Sequence, residues 1–201
     1  MRYRSATVTA LAAVLLIGAC RKEPPPPPEP TGPTAEELER IRQDSIRAAQ
    51  EAEEARLRAE EDARRREEEA RLRAVEEARD ALTMRIHFDY DMSEIRADAE
   101  RILRQKAAIL RASPGVQLRV EGHADERGSN EYNLALGNRR AQAVVDFFTN
   151  FGLDAARFNI VSYGEERPLA RQSNEGAWAQ NRRAEFTITA GQNDINPGRT
   201  P

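Results

Sequence analysis

The chain has one cysteine, two histidines and one tryptophan in 201 residues, and aromatic side chains make up only 5% of it. A lone cysteine, Cys20, makes no internal disulfide. Without a cysteine cluster or a His-x-x-x-His pair, the sequence offers no recognisable zinc framework. An excess of one charge is missing too: 31 basic against 34 acidic residues leave a formal net charge of -3, which argues against a nucleic-acid partner. No apolar run reaches the roughly 20 residues that a membrane-spanning helix needs. Catalytic constellations are equally scarce, since neither Ser129 nor Ser162 has a histidine at a recognisable motif spacing and no glycine-rich phosphate loop is present. These absences point to a binding protein rather than an enzyme, with no cofactor.

What is there changes sharply along the chain, in five stretches. Residues 1 to 19 read as a lipoprotein signal: Arg2 and Arg4 make a basic start, Val8 to Ile17 is nearly all apolar, and Ile17-Gly18-Ala19 precedes Cys20 as in a lipobox. Cys20 is then the expected lipidation site and mature N-terminus. Each buried methylene contributes about 0.8 kcal/mol, so three acyl chains would hold where one is marginal. From 20 to 33, the prolines Pro24 to Pro28, Pro30 and Pro33 favour extended polyproline II, hence a stiff spacer. A docking site for a proline-recognising partner is the alternative.

Residues 34 to 82 are almost wholly Ala, Glu and Arg, with Thr34 and Glu37 at capping-box spacing. Acid-before-base pairs four apart recur, among them Glu36 and Arg40, Glu60 and Arg64, Glu61 and Arg65, Glu67 and Arg71. Each adds roughly 0.2 to 0.5 kcal/mol to a helix. The large apolar residues Leu38, Ile41, Ile46, Leu57, Leu72 and Val75 do not sustain an a/d seam. A solvated single helix and a coiled coil both stay open. About 46 residues at 1.5 Å each would span about 70 Å.

From 83 to 190 strand and helix patterns alternate. Strands are expected at Arg85 to Phe88, Val116 to Gly122, Phe158 to Ser162 and Arg183 to Thr189, the last with Ala184, Phe186 and Ile188 inward. Helices are expected at Ala97 to Arg111 and from Glu131 to Asn150, where Ala141, Val144, Val145 and Phe148 form a stripe and Ser129 or Asn130 caps the start. Gly176 to Gln180 reads as a short helical turn. The pattern predicts an α/β sandwich with helices on one face of the sheet. Residues 191 to 201, with Ile195 as the sole large apolar side chain, read as a flexible tail.

The densest information lies in Val120-Glu121-Gly122-His123-Ala124-Asp125-Glu126-Arg127-Gly128, followed by Glu131-Tyr132-Asn133 and Leu136-Gly137-Asn138-Arg139-Arg140-Ala141. A strand runs into a polar loop bracketed by glycines and on into a helix, so polar side chains converge there. Together with Phe88-Asp89-Tyr90-Asp91, Val161 to Pro168 and Asn181-Arg182-Arg183-Ala184, these motifs resemble the OmpA-like peptidoglycan-binding domain family from about Ile86 to Ile188.

The resemblance implies a mixed-sheet α+β sandwich and a site for the diaminopimelate of the peptidoglycan stem peptide. Asp125 and Arg140 match the family positions that hold it, Asn133 resembles the family's Asn before the Leu and Arg of the helix, and Asp91 and Tyr90 match a further contact from the first loop. The chemistry fits, because a carboxylate can take the ligand's ammonium while a guanidinium fork takes its carboxylate. The lipid-anchored members imply an outer-membrane location on the periplasmic face, with a Tol-system propeller protein as a second partner. Their shorter, disordered tether differs from the long charged helix here, which leaves that helix's role open.

Bland readings stand beside these. Asp125 and Arg140 could be a mutual salt bridge stapling loop to helix. His123, near Asp125 and Glu126, could suggest a metal-dependent cell-wall peptidase, but a packed or hydrogen-bonded loop histidine is the expectation. Arg182 and Arg183 read as domain-closing partners of glutamates, and Trp178 as a core anchor rather than a sugar platform.

Overall fold

The computed structural model describes residues 32–198. The expected signal, Cys20 and most of the proline spacer lie outside the described residues, as do residues 199–201. No helix among the described residues is long and apolar enough to cross a membrane.

Helix α1 runs Ala35–Thr83. It starts at the capping box: the Thr34 backbone N–H donates to Glu37 Oε2 at 2.8 Å and the Glu37 N–H donates to Thr34 Oγ1 at 3.3 Å. Two of the four donors that a helix start leaves orphaned are thereby satisfied. In the unit ending at Arg56 every residue from Ala35 onward is exposed. Helix propensity and surface ion pairs favour the helix there. Among the ion pairs along α1, Glu60 with Arg64 follows the expected four-residue spacing, but Arg65 reaches Asp62 and Arg71 reaches Glu68, three residues back.

The unit from Leu57 onward holds β1 (Ile86–His87), α2 (Ala97–Ala112), β2 (Gln117–His123), α3 (Asn130–Asn150), β3 (Phe158–Gly164), α4 (Glu175–Asn181) and β4 (Arg183–Ala190). The sheet order is β1-β4-β2-β3, with β2 and β3 parallel and both β1–β4 and β2–β4 antiparallel. Parallel pairing of β2 and β3 requires a crossover, and α3 supplies it. Alternation along β2 puts Leu118 and Val120 in the core, against Ala141, Val144, Val145 and Phe148 of α3 and Leu103, Ala107 and Leu110 of α2. Each such large apolar side chain contributes roughly 1.5 to 3 kcal/mol on full burial. The mixed sheet and its helices match the expected architecture, with boundaries within about two residues.

Contact between β2 and α3 is unusually close. A Cβ built on Gly122 would lie 1.8 Å from the Gly137 carbonyl oxygen, so only glycine lets the strand and helix backbones touch at that height. The end of β2 and the start of α3 are thereby locked together, and the loop between them is short and fixed.

The solvated-helix alternative does not extend to the end of α1, and the expectation of a loose tail fails. The last turns of α1 are not solvated: Ala78, Ala81 and Leu82 are buried with the domain core. Nor is the described part of the tail loose, since Ile195 enters the same core and Asn196 exchanges two hydrogen bonds with Ser113. A single apolar residue among polar ones gives no periodicity to read, so its burial in the core is not legible in the sequence. Lys106 joins these elements. Fully buried, its Nζ donates at 2.7 Å to the carbonyls of both Ala81 and Leu82, two of the acceptors that the end of α1 would otherwise leave open. It sits 4.0 Å from the Phe186 ring centre, and burial lowers its pKa to about 7.

Candidate functional site

The loop after β2 and the turn after β1 meet at one end of the sheet. Ser129 caps α3, its side chain accepting from the Tyr132 N–H at 3.3 Å, and Gly128 takes φ +121° to turn the chain into that cap. Asp91, at φ 56°, shapes the turn after β1, and its carboxylate accepts from the Tyr132 hydroxyl. All five residues expected to bind ligand therefore gather at this end.

Asp125 is 4% exposed and already fully engaged. Its carboxylate accepts from the Arg127 backbone N–H at 3.1 Å, from Arg127 Nε at 3.1 Å and Nη2 at 2.7 Å, and from Arg182 Nη1 at 3.3 Å. Burial alone would raise the Asp125 pKa, but these donors hold it below the usual carboxylate range. The Arg127 guanidinium lies between two rings, 3.9 Å from the Tyr90 centre and 4.2 Å from that of Trp178, with Glu175 3.6 Å away. A planar cation between two π faces is well held yet remains near the surface.

Arg140, at 0% exposure, does not pair with Asp125 directly. Its Nε donates to the Met92 carbonyl at 2.8 Å, Nη1 to that of His123 at 2.7 Å and Nη2 to that of Asp89 at 3.1 Å. One side chain thus pins the turn carrying Tyr90 and Asp91 to the end of β2. Burial lowers its pKa to about 10, with Asp125 opposing the shift, so it stays charged at neutral pH. The mutual salt bridge is replaced by two separate arrangements: Asp125 under two other arginines, Arg140 against backbone. Among the described residues, two of the five guanidinium N–H groups of Arg140 are left uncommitted.

Asn133, 1% exposed, donates its amide to Glu165. Beside it opens a cleft of about 420 Å³ lined by Ala124, Glu126, Glu165, Glu166, Pro168, Ala170, Arg171 and Asn181. Three carboxylates and one guanidinium make it suited to a ligand bearing an ammonium and a carboxylate. Sequence reasoning missed Arg127, Glu165, Glu166 and Glu175 here. The two-residue spacing of Asp125 and Arg127 in a loop was the available signal.

Other assignments shift. Trp178 is half-buried and stacked on Arg127, its Nε1 donating to Glu126 at 3.0 Å, so it belongs to the rim of this site rather than the core. Arg182 bridges Asp125 and Glu175, and Arg183 pairs with Glu185, as domain-closing residues should. His123 ends β2 instead of standing in the loop. It is buried against Tyr163, ring centres 5.5 Å apart, with neither nitrogen hydrogen-bonded among the described residues, and burial together with Arg183 lowers its pKa to about 4. Asp125 does not belong to the cluster of metal-ligating atoms around His123, so the pairing that a peptidase reading needs is not formed among the described residues.

The strand order, the glycine contact and the loop constellation define a class, and the comparisons agree. The OmpA family model matches residues 87–182. A solved structure titled as the peptidoglycan-associated lipoprotein from Burkholderia pseudomallei is 38% identical, with a TM-score of 0.51, and the match covers 52% of this chain and 89% of that one. The chain belongs to the OmpA family. Within it, the chain is similar to peptidoglycan-associated lipoproteins: that of Agrobacterium fabrum is 51% identical over 107 residues, 53% of this chain and 60% of the relative. The one from Pseudomonas aeruginosa is 47% identical over 100 residues, 50% of this chain and 59% of the relative. The chain spans about 60% of the length of the curated relatives it matches.

Proposed function

We propose that the chain is an outer-membrane lipoprotein, anchored on the periplasmic face through acyl groups on Cys20, that binds peptidoglycan noncovalently and ties the membrane to the cell wall. It is a tether, not an enzyme. One observation carries the binding site: Asp125 lies buried against a side-chain cation, Arg127, that is clamped by aromatic rings at the surface. Recognition is then an exchange of cations. The ammonium at the far end of a diaminopimelate side chain takes the place of Arg127 against Asp125, and Arg127 remains between Tyr90 and Trp178, facing Glu175. The ligand carboxylate takes the uncommitted N–H groups of Arg140, with the turn that carries Tyr90 and Asp91 yielding a carbonyl to admit it. Asn133 turns its amide from Glu165 to the ligand, and the rest of the stem peptide runs into the acidic cleft.

The similarity to peptidoglycan-associated lipoproteins supports a second partner at the same surface, the propeller protein of the Tol system, in envelope integrity and cell division. An OmpA-like lipoprotein without that partner is the alternative, and a pull-down after crosslinking in cells separates the two.

The binding site is tested by isothermal titration of a diaminopimelate-containing muropeptide into the wild type, Asp125→Asn and Arg140→Lys, with melting temperatures for each. Leaving a ligand charge uncompensated costs about 2 to 5 kcal/mol, so affinity should fall roughly 30-fold to several thousandfold. Arg140→Lys should lose both affinity and stability, because an ammonium cannot serve three carbonyls and a carboxylate in one plane. Asp125→Asn is the decisive variant, and near-native affinity in it would sink the assignment.

A further inference from the structure

The sheet face turned away from the helices carries a second constellation. Glu121 and His123 are two apart on β2 and so share a face, and Glu185 on β4 stands directly opposite Glu121 in the antiparallel register. One ligating atom from each of the three lies within 4.8 Å of the other two.

Three features distinguish this cluster from an ordinary surface ion-pair network. His123 is 1% exposed, yet neither Nδ1 nor Nε2 has a hydrogen-bond partner among the described residues. A buried imidazole with both nitrogens idle forfeits the free energy of two polar groups, an arrangement rare enough to need a cause. Second, both carboxylates spend only one oxygen on their neighbours. Glu121 Oε1 accepts from Arg119 Nε at 2.6 Å and from the Thr187 hydroxyl at 3.1 Å, and Glu185 Oε1 accepts from Arg183 Nε at 2.7 Å and faces Arg85 Nε at 3.8 Å. No hydrogen bond uses either Oε2 among the described residues. Third, Glu121 is buried while Glu185 is half-buried, which leaves a way in from solvent.

We propose that Glu121, His123 and Glu185 bind one borderline divalent metal ion of the zinc class, clipping β2 to β4. An imidazole nitrogen with two carboxylate oxygens suits zinc, cobalt or nickel better than magnesium or calcium, which favour all-oxygen shells. Zinc bonds to nitrogen and oxygen are about 2.0 to 2.2 Å, so the three atoms must draw together by about 1 Å, which rotation of two glutamates supplies. Arg119, Arg183, Arg85 and Thr187 stay on the Oε1 atoms, orienting both carboxylates from outside. The cluster contains no residue of the diaminopimelate site, so the two assignments stand or fall separately.

The test titrates the full chain with Co2+, following visible d–d absorption, and with Zn2+ in competition with a chromophoric chelator. The wild type should take up one equivalent, with a rise of several degrees in melting temperature when Zn2+ is added. Glu185→Gln, half-exposed and isosteric, should weaken binding by roughly tenfold to a hundredfold or more and abolish the rise. Glu121→Gln should do the same, and the apo melting temperature of each variant checks that it folds. Absence of saturable binding overturns the proposal, and so does a Co2+ spectrum and affinity unchanged in Glu185→Gln, because the ion is then held elsewhere, such as along the acidic helix.

Discussion

Arginine does opposite work in the two halves of this molecule. Along α1, Arg64 is paired with Glu60 while their side chains remain 77% and 54% exposed. In the domain, Arg140 and Arg182 are 0% and 6% exposed and reach backbone carbonyls and buried carboxylates. Water screens the first kind of contact, so each pair adds a few tenths of a kcal/mol and can be exchanged for a neighbour at three-residue spacing. The second kind has no water to fall back on. Removing such a side chain strands its partners, and the penalty is set by them rather than by the bond that was lost.

The contrast can be broken most forcefully at Arg140. Arg140→Ala leaves three carbonyls without their donor and frees the turn at Asp89 to Met92, so urea denaturation should show a loss of about 3 kcal/mol or more. A loss below about 1 kcal/mol would mean that water reaches those carbonyls and that the burial argument is wrong.

Lys106 sharpens the same point through pH. In the unfolded chain its proton is held to about pH 10.4, whereas in the folded domain it is held only to about 7. Between these values the unfolded state binds more protons, so stability rises with pH, at up to about 1.4 kcal/mol per pH unit, and this contribution is flat below the folded pKa. Denaturant titrations at several pH values from 7 to 9.5 should show the slope in the wild type and not in Lys106→Met. The same slope in both proteins would assign it to another group.

The smallest effect belongs to the helix. Arg64→Ala should change the thermal melt of the helical signal by less than about 0.5 kcal/mol. A larger loss would mean that this face of α1 is packed against something, as in a coiled coil.

Much of the architecture was legible because two periodicities carry it. Ala141, Val144, Val145 and Phe148 could only be one face of a helix, and Ala184 and Phe186 one face of a strand, and all six are buried. The start of α1 was equally local, since Thr34 and Glu37 are three residues apart. Its end was not. Ala78, Ala81 and Leu82 look like more of the same Ala-rich helix, yet they are buried in the domain core, and Lys106, whose Nζ donates to the carbonyls of Ala81 and Leu82, reads in sequence as a surface lysine. At the candidate site, the motifs located Asp125, Arg140, Asn133, Tyr90 and Asp91 in one neighbourhood but not what each touches. Arg127 is two residues from Asp125, and that contact was within reach of local reasoning. Trp178 and Tyr90, about 90 residues apart, stack on that same guanidinium only because α4 and the turn after β1 converge.

The sequence by itself determined which segments are helix and strand, where the chain turns, and which family's motifs it carries, because caps, glycines and apolar spacing act over a few residues. Tertiary structure alone decided how the charges are paired. Whether Arg140 meets a carboxylate or three carbonyls, or whether His123 meets Asp125 or Glu121 and Glu185, depends on strand register and on the close contact of Gly122 with Gly137. Buried charges interact over distances that only the assembled fold sets, and no local pattern encodes them.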